Sequence, residues 1–176
     1  MKNSFVNLLD CTLRDGGYYN NWDFNIGLVD KYLRAISSTP VSTIEIGFRM
    51  LPKNYFLGPF AYSSDDYLSS LSLPDNKKIA VMIKAREFIN DEKVEKQLIQ
   101  SLFDPCLESP VDLIRVAVHF LDVRKIKELL DNLKSLEYDV ALNLMQSSGY
   151  MPDDYISLLA ELENWDNIDI LYFADS

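Results

Sequence analysis

Short apolar segments alternate with longer segments of helical spacing along most of this chain. The strand-like segments are NLLDCTL from Asn7, TIEIGF from Thr43, KIAVMI from Lys78, LIRVAVH from Leu113, DVALNLM from Asp139 and IDILYFAD from Ile168. Helical patterns are found in GLVDKYLRAI, DEKVEKQLIQSLF, LDVRKIKELLDNLKSLEY and MPDDYISLLAELENW, whereas YFLGPFAYSSDD predicts a loop before a short helix. Asp122 and Pro152 are the predicted starts of the last two helices. Such a β-α alternation predicts a parallel sheet with right-handed crossovers.

The alternation within the strands distinguishes two kinds of parallel sheet. One phase is aliphatic, as in Ile44, Ile46 and Phe48, and the other is small or polar, as in Glu45 and Gly47. A doubly wound sheet needs two apolar faces, whereas a barrel has one face toward helices and one toward its interior. We therefore predict an α/β fold of the parallel (β/α) TIM-barrel class. The alternative is an open sheet with one solvated face.

Polar side chains recur where the predicted strands end. Active sites of (β/α) barrels lie at the carboxyl ends of the strands, so these side chains predict a site for a small polar or anionic ligand. Each one taken alone also has a structural explanation. The residues concerned are Arg14, Asp15, Arg49, Lys84, His119, Asn143, Gln146 and Asp175.

Composition restricts the classes of partner. The net charge of −10 disfavours nucleic acid, and no apolar run reaches the length of a membrane span. The amino terminus lacks a signal-peptide pattern, and the two cysteines form no metal-like or redox-like pair. We expect a cytoplasmic protein with reduced thiols.

The segment DCTLRDGG, beginning at Asp10, resembles the first-strand signature of the pyruvate-handling metal-dependent TIM-barrel lyases and synthases. That family includes 4-hydroxy-2-oxovalerate aldolase, hydroxymethylglutaryl-CoA lyase and isopropylmalate synthase. The later segments TIEIGF, LIRVAVH, VALNLM and YFADS are similar to further strands of the family, in the same order. The hydroxy-oxovalerate aldolase branch is the most similar.

The resemblance implies roles for the motif residues. Asp15 would be a ligand of a divalent metal, Mg²⁺ or Mn²⁺, and Arg14 would stabilise a pyruvate enolate. Gly16 and Gly17 are expected to let the backbone turn sharply beside the ligand. The family base is a histidine just after the motif, where this chain has Tyr18, a poor base at neutral pH. The structural alternative is an Arg14–Asp15 ion pair at a strand end.

The length raises a further expectation. A complete barrel takes about 250 residues and eight strands, whereas this chain has 176 residues and six predicted strands. The family's remaining metal ligands are a His-x-His pair on the seventh strand, and the six predicted strands do not include that strand. We expect residues 1–176 to be a single partial barrel domain, truncated after the sixth strand and taken from a longer chain. The alternative is a partner subunit that completes the sheet, and open sheet edges would also permit self-association.

The predicted function is that of a metal-dependent aldolase or lyase acting on a small 2-oxo acid through an enolate. Arg14 and Tyr18 are the catalytic candidates and Asp15 is the metal ligand. The substrate-binding candidates are Gly16, Gly17, Arg49, Lys84, His119, Asn143 and Asp175. One alternative is a non-catalytic ligand-binding or assembly domain on the same barrel. Another is a synthase that condenses an acyl-CoA donor.

Overall fold

A computed structural model describes residues 6–90 and 93–175. Its main sheet contains six strands: β1 Leu9–Asp10, β2 Thr43–Phe48, β3 Lys78–Lys84, β6 Leu113–His119, β7 Asp139–Met145 and β8 Ile170–Phe173. They neighbour one another in the order β1-β2-β3-β6-β7-β8, and they are parallel. Two further short strands, β4 Ile89–Asn90 and β5 Lys93–Val94, form an antiparallel pair.

Helices occupy most of the connections. They are α1 Thr12–Asn20, α2 Ile26–Ser37, α3 Asp65–Ser69, α4 Lys96–Leu102, α5 Lys127–Ser135 and α6 Pro152–Leu162. Short 3₁₀ turns span Pro59–Ala61, Ala85–Glu87, Cys106–Glu108, Phe120–Ile126 and Ser147–Gly149. A parallel sheet in sequential strand order with helical crossovers confirms the predicted (β/α) TIM-barrel class, here with six strands. Among the described residues, no helix has both the length and the apolar character of a membrane span.

The chain divides into two compact units. The first comprises the described residues up to Met82 together with Ser109–Leu113, and the second comprises Ile83–Glu108 and the residues from Ile114 onward. The prediction of a single domain stays a prediction.

In the first unit, α2 buries an apolar stripe formed by Val29, Leu33 and Ile36. Asn25 caps this helix, since its side chain accepts hydrogen bonds from the N–H groups of Gly27 and Leu28. The buried core of this unit includes Val29, Leu33, Ile36, Ile44, Ile46, Phe48, Phe60 and Leu68. Strand alternation predicted the burial of Ile44, Ile46 and Phe48, whereas Phe60 and Leu68 come from the connection after β2, where neither pattern marked them.

In the second unit, α5 and α6 supply the same kind of stripe. Pro152 begins α6 as predicted, and the Asp154 carboxylate accepts the N–H of Met151 at 3.0 Å. Buried apolar residues of this unit include Val116, Val118, Val123, Leu129, Leu130, Leu133, Val140, Leu142, Leu144 and Leu158.

Several boundary predictions were wrong. The first strand ends at Asp10, and α1 begins at Thr12 inside the predicted strand. Asp122 does not cap a helix, because its carboxylate accepts hydrogen bonds from Arg86 and Lys125 within a 3₁₀ turn. The helix predicted from Asp91 begins at Lys96, since Lys93–Val94 pairs with Ile89–Asn90. Asp91 and Glu92 lie outside the described residues.

Candidate functional site

The signature segment forms a short helix immediately after β1. Asp10, at the end of the strand, accepts hydrogen bonds from the Thr12 N–H at 2.9 Å and the Thr12 hydroxyl at 3.1 Å. The Tyr32 hydroxyl donates to the same carboxylate at 2.6 Å. Asp10 thus satisfies a backbone donor that the first turn of α1 would otherwise leave unpaired. It fixes the point at which the chain leaves the sheet.

The two glycines do not make a turn, and this expectation is corrected. Gly16 and Gly17 lie within α1, and neither has a positive φ angle. A Cβ at Gly17 would lie 1.9 Å from the Trp22 indole, whereas one at Gly16 would meet Phe24 at an ordinary 3.6 Å. Gly17 is therefore needed for close packing of Trp22.

Arg14 and Asp15 lie in the first turn of α1. The Arg14 Nε donates to the Glu45 carboxylate at 2.6 Å, and its Nη1 forms an ion pair with Asp15. Glu45 comes from the middle of β2, and its side chain is fully buried. Two carboxylates therefore hold the guanidinium of Arg14 in one orientation.

The remaining nitrogen of the Arg14 guanidinium is open. Among the described residues, none accepts a hydrogen bond from Nη2 of Arg14, and the side chain is 14% exposed. Burial lowers the pKa of Arg14, but Glu45 and Asp15 more than offset this, so the pKa is raised above its usual value. Arg14 is a permanent cation with one donor position available to a ligand.

Asp15 is the exposed carboxylate of this cluster. Its side chain is 55% exposed, and it also accepts a hydrogen bond from the Cys11 thiol at 3.1 Å. Burial, followed by this hydrogen bond and the charge of Asp15, raises the pKa of Cys11 to about 11. Cys11 is thus a neutral donor that points at the candidate metal ligand.

Tyr18 lies one helical turn after Arg14. Its ring makes edge contacts with Trp22 and Phe48, at centroid distances of 4.8 and 6.1 Å. Burial raises the pKa of Tyr18, and the nearby Arg14 lowers it only in part. This direction makes Tyr18 an even poorer base than an ordinary tyrosine.

Arg49 lies at the end of β2 in a different environment. Its side chain is 1% exposed, and its Nη2 donates to the Ser63 carbonyl at 2.8 Å and forms an ion pair with Asp65. Ser109 also donates to Asp65, at 2.9 Å. Substrate binding by Arg49 stays a prediction, but these contacts show a side chain that joins β2 to the start of α3.

The other predicted site residues belong to the second unit. Lys84 is exposed at the end of β3, and His119 is half-buried at the end of β6. Asn143 is buried in β7 and accepts a hydrogen bond from Arg115 at 3.0 Å, while Asp175 is exposed beyond β8. Their proposed role in substrate binding stays a prediction.

Glu45 is the residue of this site that the sequence prediction missed. The sequence contained a signal for it, because Glu45 is the one charged residue in the strand segment TIEIGF. A buried carboxylate needs a cationic or hydrogen-bonding partner, and Arg14 supplies one. Arg115, in the equivalent phase of β6, gave a similar signal.

Comparison with solved structures finds similar folds in domains of two proteins. The N-terminal domain of a proposed aldolase from Bacteroides vulgatus is 27% identical, with a TM-score of 0.73, over 94% of this chain and 62% of that one. The carboxyl transferase domain of Rhizobium etli pyruvate carboxylase, solved with pyruvate, is 14% identical, with a TM-score of 0.68. The same domain with pyruvate and biocytin is 15% identical, with a TM-score of 0.68.

The extent of these matches differs between the two proteins. The chain is covered to 99% by the carboxyl transferase domain but spans only 31% of it, and it spans less than two thirds of the Bacteroides domain. At 14–15% identity the likeness shows a shared fold. No protein-family model matches the chain, and no curated protein matches it in sequence.

Proposed function

We propose that the protein carrying this chain is a metal-dependent aldolase or lyase that cleaves or forms a carbon–carbon bond next to the ketone of a 2-oxo acid. The observation that carries the proposal is the Arg14 guanidinium, which two carboxylates orient and which keeps one nitrogen open. The 27% identity to a proposed aldolase and the TLRDG motif support it.

The reaction that suits this site is cleavage of a 4-hydroxy-2-oxo acid. A base takes the proton of the 4-hydroxyl, the C3–C4 bond breaks, and its electron pair becomes the enolate of pyruvate while an aldehyde leaves. A proton then returns to C3 to give pyruvate. Arg14 would hold the oxygen on which negative charge develops, and its fixed orientation means that little reorganisation is needed during the reaction.

Asp15 is the residue that would hold the divalent cation. Among the described residues, no group of three or more histidine, cysteine, aspartate or glutamate side chains has a metal-binding arrangement. Mg²⁺ nevertheless often binds through one or two carboxylates, several waters and the substrate, and the half-exposed Asp15 fits that mode. The metal would supply Lewis-acid polarisation of the 2-oxo group.

The test is pyruvate release from 4-hydroxy-2-oxo acids by the natural full-length protein with Mn²⁺ or Mg²⁺. We expect Asp15→Ala to abolish release and to weaken Mn²⁺ binding measured by calorimetry. Asp75→Ala, at an exposed position before β3, is the matched control and should leave both unchanged. Undiminished pyruvate release by the Asp15→Ala variant would contradict the proposed mechanism.

A second candidate is a barrel that binds the ligand without turning it over. The tyrosine in the place of the expected histidine favours it, because the raised pKa of Tyr18 removes it as an obvious base. This candidate predicts binding of pyruvate or of its enolate mimic oxalate, with no release of pyruvate from any 4-hydroxy-2-oxo acid at any metal concentration.

A further inference from the structure

Helix α1 presents two open hydrogen-bond donors on one face. Arg14 and Tyr18 are four residues apart, and side chains at this spacing are neighbours on a helix surface. Within the described part of the chain, neither the Arg14 Nη2 nor the Tyr18 hydroxyl has a hydrogen-bond partner. Tyr18 is 58% exposed, so a ligand can reach it.

The Tyr18 ring is held in place by aromatic packing. Its edge contacts with Trp22 and Phe48 restrict the ring, and Trp22 is itself fixed. The Trp22 indole N–H donates to the Arg14 carbonyl at 2.8 Å, and its ring occupies the space left by Gly17. Both donors are therefore oriented before any ligand binds, which lowers the entropic cost of binding.

The charges around Tyr18 favour its neutral form. Burial raises the pKa of Tyr18, Arg14 on α1 lowers it, and Asp15 on α1 and Glu45 on β2 raise it further. Two side chains, those of Trp22 and Phe48, are in ring contact with Tyr18, and neither carries a charge. A neutral phenol can donate a hydrogen bond to an anionic oxygen, but it is a weak proton acceptor.

We propose that Tyr18 is a hydrogen-bond donor that shares with Arg14 the recognition of one anionic group of the 2-oxo acid, its carboxylate or its enolate oxygen. This inference rests on the proposed function. It gives Tyr18 the role of an anion-binding catalytic residue, and it leaves the base to another group. A charged guanidinium and a neutral phenol one turn apart would together bind an anionic oxygen more tightly than either donor alone.

The experiment measures the affinity for oxalate, a planar mimic of the pyruvate enolate, by calorimetry at fixed Mn²⁺ on the full-length protein. Tyr18→Phe keeps the ring contacts and removes only the hydroxyl. We expect it to weaken oxalate binding by about 10- to 100-fold, the usual effect of losing a hydrogen bond to a charged group. Tyr19→Phe is the matched control, since Tyr19 is 96% exposed, and it should bind as the wild type does.

The outcomes separate this inference from the proposed function. If the wild type binds oxalate, Arg14→Lys weakens binding and Tyr18→Phe does not, the Tyr18 inference is overturned while the proposed function stands. If the wild type binds no oxalate, the Tyr18 inference and the proposed function are both overturned. Loss of pyruvate release in Tyr18→Phe with unchanged oxalate affinity would mean proton transfer instead of anion binding, and would also overturn the inference.

The pH dependence gives an independent measurement. If Tyr18 donates a hydrogen bond, its contribution to oxalate affinity should persist through neutral pH. It should disappear only above the ordinary tyrosine pKa of about 10. Tyr18→Phe should lack this alkaline loss. A contribution that disappears already near neutral pH would contradict a donor role.

Discussion

Arg14 and Arg49 follow neighbouring strands of the same unit, yet their guanidinium groups have different surroundings. Arg14 pairs with a fully buried carboxylate on one side and a half-exposed one on the other, and its Nη2 has no partner within the described residues. Arg49 is 1% exposed and is bound by a backbone carbonyl and by Asp65. Both have the same sequence signal, an arginine at the end of a strand in a (β/α) fold.

The difference shows that position at a strand end does not by itself make an arginine a ligand-binding residue. What decides is whether the surrounding acceptors satisfy the guanidinium or only orient it. Glu45 and Asp15 orient Arg14 and leave a donor open. Ser63 and Asp65 surround Arg49, so that its main contribution is expected to be to stability.

Arg14→Lys should have the largest effect. Lysine keeps a positive charge beside Glu45 but loses the planar fork, so we expect kcat/KM for pyruvate release to fall by about 100- to 1000-fold. The lysine variant is preferable to alanine, because removing the ion pair of a buried carboxylate costs ~3–5 kcal/mol and would confuse activity with folding. Steady-state kinetics of pyruvate release is the measurement.

Arg34→Lys is the control for this variant. Arg34 lies in the last turn of α2 and is exposed, so its replacement should leave kcat/KM unchanged. Full activity of Arg14→Lys would remove the distinction between the two arginines.

Arg49→Met should act on stability. Breaking the buried pair with Asp65 should lower the free energy of unfolding by ~3–5 kcal/mol, measured by urea unfolding. Arg124→Met, which breaks the exposed pair with Glu161, should cost at most about 1 kcal/mol. If Arg49→Met instead lost affinity for oxalate with its stability intact, Arg49 would be a ligand contact, as the sequence predicts.

The Cys11 thiol, beside Arg14, is kept neutral by burial and then by its hydrogen bond to Asp15. With its pKa raised from 9.0 to about 11, the thiolate fraction at pH 9 should be about 50-fold lower than in the unfolded chain. Alkylation by iodoacetamide in a chelator-containing buffer should be slowed accordingly. Cys106→Ser leaves a single thiol for the measurement, and the urea-unfolded chain is the reference. Equal rates in the two states would show that neither burial nor the hydrogen bond to Asp15 raises the pKa of this thiol.

The sequence predicted three of the interior strands to the residue, missed the end of β3 at Lys84 by one residue, and failed most clearly at the first strand. Thr43–Phe48, Leu113–His119 and Asp139–Met145 have the predicted bounds, since strict alternation and flanking polar residues mark them. At β1 the apolar pattern continues through Leu13, which is buried, but within α1. A buried residue at the start of a helix has the same local pattern as one in a strand.

The Arg14 cluster depends on contacts that local patterns do not encode. Arg14 and Glu45 are 31 positions apart, and only the pairing of β1 with β2 brings them together. The two glycines have a low helix propensity, so a turn is the natural local prediction. The reason for a glycine at 17 is the Trp22 ring, which packs on it from beyond the end of the helix.

Gly17→Ala and Gly16→Ala test that explanation with the smallest expected effects. The methyl group at 17 would overlap the Trp22 indole, so we expect a loss of ~1–3 kcal/mol in the free energy of unfolding and a shift in Trp22 fluorescence. The methyl group at 16 has room, so replacing this helical glycine should add about 0.5–1 kcal/mol of stability. A Trp165→Phe background isolates the Trp22 fluorescence signal.

The same pair of variants tests ligand binding. Because Trp22 supports both the Arg14 carbonyl and the Tyr18 ring, Gly17→Ala should also weaken oxalate binding, whereas Gly16→Ala should not. Equal effects at the two glycines would mean that Trp22 packing does not position the two donors.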